Sequence, residues 1–214
     1  MKTLNLRSEK GIYLVLDPRA KSERELFQDL KNVFQYPLIA LQIWDNFGPE
    51  LDIHKFIGKV CEMARPYSFP VLIANSWEWV GKTELDGVHF DQIPENFAQI
   101  RKRLPENLIL GLTCTNDLSL IAKAEENGFD YISFCSVFPS PNAEACDLVS
   151  KDTLRKAAEC CNLPFFLAGG IRPENVNELD GIPHRGLALI SGIMGQTNPE
   201  KAMEQFTNLL QTNK

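Results

Sequence analysis

Apolar runs and amphipathic stretches alternate along this chain in one repeating order: a short continuous apolar run, a turn, then apolar positions spaced three and four apart. Gly11 to Leu16, closed by Asp17-Pro18, reads as a buried strand, and Lys21 to Phe34 follows with Leu26, Phe27, Leu30 and Phe34 at helical spacing. The unit then repeats. Leu38 to Ile43 is a second strand, with a helix through Leu51 to Ala64 whose Ile53, Ile57, Val60 and Cys61 share a face. Pro70 to Asn75 is a third strand, backed only by the helical turn Trp77 to Val80. Leu85 to Phe90 is the fourth, followed by a helix over Pro94 to Arg103.

The second half keeps the pattern. Leu108 to Thr113 leads to a helix capped by Asn116 or Asp117 and ended by Asn127-Gly128. Asp130 to Cys135 is the sixth strand, and the polar stretch from Ser136 to Leu148 after it is long enough to act as a lid. A helix over Ser150 to Cys161, a strand from Phe165, a short helix over Pro173 to Leu179, a strand over Gly186 to Ile190 and a helix over Pro199 to Leu210 complete the chain.

Eight apolar strands alternating with eight helical segments predict a (β/α)8 TIM barrel, one domain over residues 1–214. A doubly wound open sheet is the alternative. It is disfavoured because no G-x-G-x-x-G follows the first strand.

Composition narrows the function classes. A chain of 214 residues that is 44% hydrophobic and 23% charged can bury a full core. A net charge of -6, with the one basic cluster Arg101-Lys102-Arg103 at a helix end, argues against a nucleic-acid surface. The N-terminus lacks a signal-peptide core and no window has the length of a membrane span, so a cytoplasmic protein is expected. Cysteines at 61, 114, 135, 146, 160 and 161 show no metal spacing, which implies a reducing compartment. Cys160 and Cys161 read as helix packing residues, and Cys114 and Cys135 as inert thiols at strand ends.

In a barrel the working residues stand at the carboxyl ends of strands. That rule selects Asp17, Gln42, Trp44, Asn75, His89, Gln92, Thr113, Thr115, Ser136, Ser140, Gly170 and Ser191. The set can orient a heterocycle or a phosphate but holds few groups for acid–base work. His89 alone could act as a base, although a lone histidine on an apolar strand is more often a hydrogen-bonded core residue. After the seventh strand, Ala168-Gly169-Gly170-Ile171 opens a turn into Pro173, and Ser191-Gly192 follows the eighth. Paired glycine turns at these two positions are suited to a phosphate ester.

Several stretches carry a resemblance in order and spacing: Gly11 to Asp17, Leu41-Gln42-Ile43, Ile73-Ala74-Asn75, Asp86 to Gln92, Gly128 to Tyr131, Ser136 to Pro141, Ala168 to Ile171 with Glu174-Asn175-Val176, and Ile190 to Ile193. Together they resemble the thiamine phosphate synthase and thiazole tautomerase family. The resemblance implies a (β/α)8 barrel, commonly a homo-oligomer, in which the synthases join a pyrimidine methyl pyrophosphate to a thiazole phosphate with Mg²⁺. It also exposes departures. Where the family's synthases have an arginine and a lysine after strand two, this chain has Trp44 and Asn46. The family's Asn-Asp reads Asn75-Ser76, and its Gly-Gln-x-Asp reads Asp91-Gln92-Ile93-Pro94, with Asp91 as a possible substitute metal ligand. Its Thr-Pro-Thr-Lys reads Ser140-Pro141-Asn142-Ala143, its Ser-x-His reads Thr113-Cys114-Thr115, and the tautomerase histidine is replaced by Ser136.

Losing one donor from a site that meets developing negative charge typically costs ~2.7–4 kcal/mol. Three readings therefore stand. The first is an active synthase requiring Mg²⁺ through relocated ligands Asp17, Asp45 and Asp91. The second is a relative that binds a small-molecule phosphate ester as carrier or sensor, and the third another phosphate-binding isomerase or epimerase using His89 and Asp17. Catalytic candidates are Asp17, His89, Thr113 and Ser136; binding candidates are Gln42, Asn75, Ser140, Gly169, Gly170, Ser191 and Gly192. Trp44, Trp77 and Asn75 would face a neutral or aromatic group, with packing under the rim as the competing role for the tryptophans.

Overall fold

The computed structural model describes residues 2–4, 10–140 and 147–212, with the side chain of Thr212 excepted. Pro141, Asn142, Ala143 and Cys146, which entered the reading above, lie outside the described residues. Eight parallel strands close into a barrel in sequence order, with β1 (Gly11–Leu16) hydrogen-bonded to both β2 (Leu38–Ile43) and β8 (Gly186–Leu189). Between them stand β3 (Val71–Ala74), β4 (Gly87–Phe90), β5 (Ile109–Cys114), β6 (Tyr131–Cys135) and β7 (Phe165–Ala168). The expected (β/α)8 TIM barrel is the observed fold.

The apolar runs conceal a period of two, because both faces of each strand are buried but against different neighbours. On β1, Ile12, Leu14 and Leu16 point to the helical layer, whereas Tyr13 and Val15 enter the barrel interior with Ala40, Leu72, Tyr131 and Phe166. Interior space is divided unequally. A Cβ on Gly111 would collide with the Tyr131 ring, so the smallest residue on β5 makes room for the largest on β6.

The helical layer consists of α1 (Glu23–Val33), α2 (Ile53–Ala64), α3 (Phe97–Arg101), α4 (Ser119–Glu126), α5 (Lys151–Cys160) and α6 (Pro199–Thr212). Helix α1 begins at Glu23 rather than Lys21 because Ser22 caps it, exchanging hydrogen bonds with Glu25 in a capping box. Asp52 likewise stops α2 from starting at Leu51 by accepting the Lys55 N–H. The third and seventh helical segments are single 3₁₀ turns, Trp77–Trp79 and Val176–Leu179, and α3 is shorter than the expected Pro94 to Arg103. Neither Asn116 nor Asp117 caps α4 as expected: the N-cap position is Leu118, without a side-chain cap, and Asp117 accepts the Ser119 N–H from one residue further out. Asn116 instead joins the Leu148 carbonyl to Ser150 N–H, tying the end of the 136–148 connection to the start of α5. Cys160 is exposed rather than packed, and Cys161 lies just past the helix.

Candidate functional site

The carboxyl ends of β7 and β8 carry the two glycine turns. Gly169 and Gly170 both have positive φ, 90° and 63°, which other residues adopt only at a cost. Side chains are excluded there by space as well. A Cβ on Gly169 would lie 2.7 Å from the Ser136 Cα, and one on Gly170 would lie 2.7 Å from the Phe138 carbonyl oxygen. The turn is held from both sides. Val137 and Phe138 N–H groups donate to the carbonyls of Ala168 and Gly169 at 2.8 and 3.1 Å. Asn175 donates through Nδ2 to the Gly170 carbonyl at 2.9 Å and accepts the Arg172 N–H at 2.8 Å. At the second turn, Gln196 Nε2 donates to the Ser191 carbonyl at 2.9 Å.

A cavity of about 540 Å³ opens between the two turns and α6, lined by Ser140, Gly170, Ser191 and Gly192 together with Arg172, Gln196, Asn198 and Lys201. Four of the predicted binding residues thus converge on one cavity. Gly169 lies beneath it, filling its space against Ser136. Ser136 is buried, and its hydroxyl donates to the Phe138 carbonyl at 2.7 Å, so it shapes the turn from below.

A second cavity of about 300 Å³ occupies the barrel mouth. Ala168 and Ile190 line it, while Gly170 and Ser191 line the first, so the two cavities adjoin across the ends of β7 and β8. Its wall is largely apolar but contains Gln42, Trp44, His89, Asp91, Thr113 and Thr115. Beneath runs a buried chain of hydrogen bonds from five strands. Tyr13 donates to Gln42 Oε1 at 2.8 Å and shares a 2.7 Å bond with the Tyr131 hydroxyl; Tyr131 meets His89 Nδ1 at 2.9 Å; His89 Nε2 meets Thr113 Oγ1 at 2.9 Å. Among the described residues every buried side-chain nitrogen and oxygen has a partner.

Burial pushes the His89 imidazole down to about 4 and pushes both tyrosine hydroxyls up. The whole chain is therefore uncharged at neutral pH and suited to orienting a ring by hydrogen bonds. His89 has the partners of a satisfied core histidine while still lining the cavity.

The rim opposite holds a carboxylate pair. Asn75, at φ 48°, donates through Nδ2 to Asp45 at 3.2 Å and Asp91 at 2.9 Å and accepts the Asp91 N–H at 3.0 Å. Partial burial, followed by the charge of Asp91, raises the Asp45 carboxyl above its ordinary range. Asp17 is engaged elsewhere, accepting from Asn46 Nδ2 at 3.1 Å and Arg19 N–H at 2.9 Å. Among the described residues no three metal-type ligands cluster, which corrects the grouping of Asp17, Asp45 and Asp91 as a metal triad. Trp44 faces the mouth, whereas Trp77 packs against the outer core under the Arg103 guanidinium, 6.0 Å from its ring. Gln92 is exposed outside both cavities.

Residue-type reasoning missed Tyr13, Tyr131, Arg172 and Lys201. Counting by twos along β1 and β6 would have put both tyrosines inside the barrel. Nothing local distinguishes the two cations from ordinary surface charges.

The family model described as thiamine monophosphate synthase matches residues 12–193. Thiamine-phosphate synthase 1 of Aquifex aeolicus is 28% identical over 202 residues, covering 94% of this chain and 93% of the relative. Thiamine-phosphate synthase of Pyrococcus furiosus is 26% identical over 209 residues, covering 97% and 98%. The solved structure of a thiamine phosphate pyrophosphorylase from Pyrococcus furiosus superposes with a TM-score of 0.82 at 25% identity, covering 97% of this chain and 98% of that one. With its family model spanning all but the ends of the barrel, and relatives matched along nearly their whole length, this chain belongs to the thiamine monophosphate synthase family.

Proposed function

We propose that this chain serves thiamine biosynthesis as a thiamine-phosphate-synthase-like protein, a single (β/α)8 domain that holds a thiazole-type phosphate monoester. The phosphate occupies the turns of Gly170, Ser191 and Gly192 with Ser140, and the heterocycle lies over the barrel mouth against Trp44 and the uncharged His89 chain. The observation that carries this reading is the pair of adjoining cavities, one polar and glycine-walled, the other largely apolar. Backbone N–H groups in such turns suit an anion, and a dry wall with a few fixed polar groups suits a ring. In a thermal-shift titration, a thiazole phosphate monoester should stabilise the fold saturably by binding the native state, and its dephosphorylated alcohol should not. No shift with the phosphate ester would overturn the reading.

Coupling to a pyrimidine methyl pyrophosphate is a second reading, favoured by the Asp45–Asn75–Asp91 arrangement at the rim. Mg²⁺ is commonly held by one or two carboxylates together with substrate phosphate oxygens and waters, and Asp45 with Asp91 fits that donor set. Bound there, Mg²⁺ would supply charge for the departing pyrophosphate, while Gln42 and Asn75 position its carrier. Against it, the barrel-mouth wall contains no lysine or arginine among the described residues. Product formation from the two precursors with Mg²⁺, absent with chelator, supports coupling; no product leaves the binding reading alone.

Among the described residues no helix is long and apolar enough to cross a membrane. We place the protein in the cytoplasm with its small-molecule ligand, as a homo-oligomer with no nucleic-acid partner. Size-exclusion chromatography with light scattering tests the assembly.

A further inference from the structure

Lys21 stands just ahead of the α1 capping box, and its ammonium reaches two acceptors from distant parts of the chain. Nζ donates to Asp29 Oδ2 on α1 at 2.7 Å and to the Gln196 carbonyl, between β8 and α6, at 3.0 Å. The Lys21–Asp29 ion pair is unlike the other five found among the described residues. Its side chains are 22% and 19% exposed, whereas no other pair has a member below 46%. Gln196 passes the tether on, because its Nε2 holds the Ser191 carbonyl at 2.9 Å. What matters is the far side of each tethered peptide. Both peptides are trans, so each N–H points opposite to its C=O. With the Ser191 carbonyl drawn to Gln196 and the Gln196 carbonyl drawn to Lys21, the N–H groups of Gly192 and Thr197 are turned away from those partners. Gly192 and Thr197 both line the glycine-walled cavity, and neither N–H donates to an acceptor among the described residues.

We infer that Lys21 is a positioning residue for the turn after β8: paired with Asp29, it fixes the 191–197 connection so that free backbone N–H groups stay directed at the cavity. This rests on the reading of the glycine turns as a phosphate site and adds the device that shapes the second of them. The same tether ties the β1–α1 loop to the β8–α6 connection, two segments that are far apart in sequence. The ion pair carries no net charge, so Lys21 acts by geometry and not by attraction for the anion.

The test combines calorimetric titration of the full chain with a thiazole phosphate monoester and amide hydrogen exchange without ligand. Lys21→Met should weaken binding about three- to tenfold, the worth of a net hydrogen bond, and Lys21→Arg should recover most of the loss. Asp29→Asn separates positioning from charge. It makes the chain less negative, so attraction at a distance predicts tighter binding of the anion, whereas loss of the tether predicts weaker binding. The amides of Ile193, Met194 and Gln196 are hydrogen-bonded within the connection. In Lys21→Met they should exchange at least about threefold faster relative to the amides of the barrel strands, because the connection opens locally. Unchanged relative exchange, wild-type affinity in Lys21→Met, or tighter binding by Asp29→Asn would overturn the inference and leave the phosphate turns standing. Failure of the unsubstituted chain to bind the phosphate ester would remove the phosphate reading and the role of Lys21 with it.

Discussion

Replacing Gly170 with alanine tests the construction of the phosphate turn. Gly170 sits at φ 63°, and an added Cβ would press on two backbone oxygens: that of Phe138 at 2.7 Å, and that of Pro139, which is nearer still. The backbone term alone is about 1 kcal/mol for a non-glycine residue in the left-handed region. Overpacking against groups that cannot rotate away adds roughly 1–3 kcal/mol. Gly170→Ala should therefore cost about 2–4 kcal/mol in urea denaturation. Gly128 supplies the control, because it has a similar φ of 72° with nothing within 4 Å of the added atom. Gly128→Ala should cost only the backbone term, about 1 kcal/mol. If the two variants lose the same stability within about 0.5 kcal/mol, the 138–139 carbonyls do not press on the turn and the reasoning fails. A folded Gly170→Ala protein should also lose its response to the phosphate ester, because the 138–139 segment must shift from beside the turn.

Three further outcomes follow from the same geometry. His89 and His184 are both pushed down to about 4, chiefly by burial, whereas an exposed imidazole in the unfolded chain titrates near 6.5. The unfolded state thus takes up protons first on acidification, so both groups contribute stability that is complete above about pH 6.5 and lost as the pH falls toward 4. Urea midpoints across that window should decline, and His89→Gln should flatten the decline; an identical slope would refute the assignment. Tyr131→Phe removes the hydroxyl shared by Tyr13 and His89 and should cost about 1–3 kcal/mol by leaving buried groups without partners, as read by chemical denaturation. A cost near zero would show that the chain is not a connected unit. If the protein couples the two precursors, Asp91→Asn should reduce Mg²⁺-dependent turnover at least about tenfold while the affinity for thiazole phosphate stays unchanged. Equal losses in both would place Asp91 in the ligand site instead of beside the metal.

How much could be read from the chain alone differs between fold and site. Eight apolar runs gave the strands to within a residue or two, because parallel strands buried on both faces need continuous apolar sequence. Helix starts shifted wherever a cap decided them, as at Ser22 and Asp52. The glycine turns were legible because Gly170 meets two constraints that few other residues satisfy. The Gln42–Tyr13–Tyr131–His89–Thr113 chain was not, since its members lie far apart in sequence and two of them pass for apolar strand residues. Asp45 and Asp91 are joined through Asn75, whose amide lies between them at a φ of 48°. Lys201 was hidden for a different reason: an exposed lysine in the first turn of a helix is unremarkable until the wall facing it is known.

The most direct test is a crystal structure of the chain with a thiazole phosphate monoester. The phosphorus should lie against Gly170, Ser191 and Gly192, with the ring over the barrel mouth between Trp44 and the His89 chain. A phosphate bound at the Asp45–Asn75–Asp91 rim, or a ring directed away from the mouth, would contradict the account.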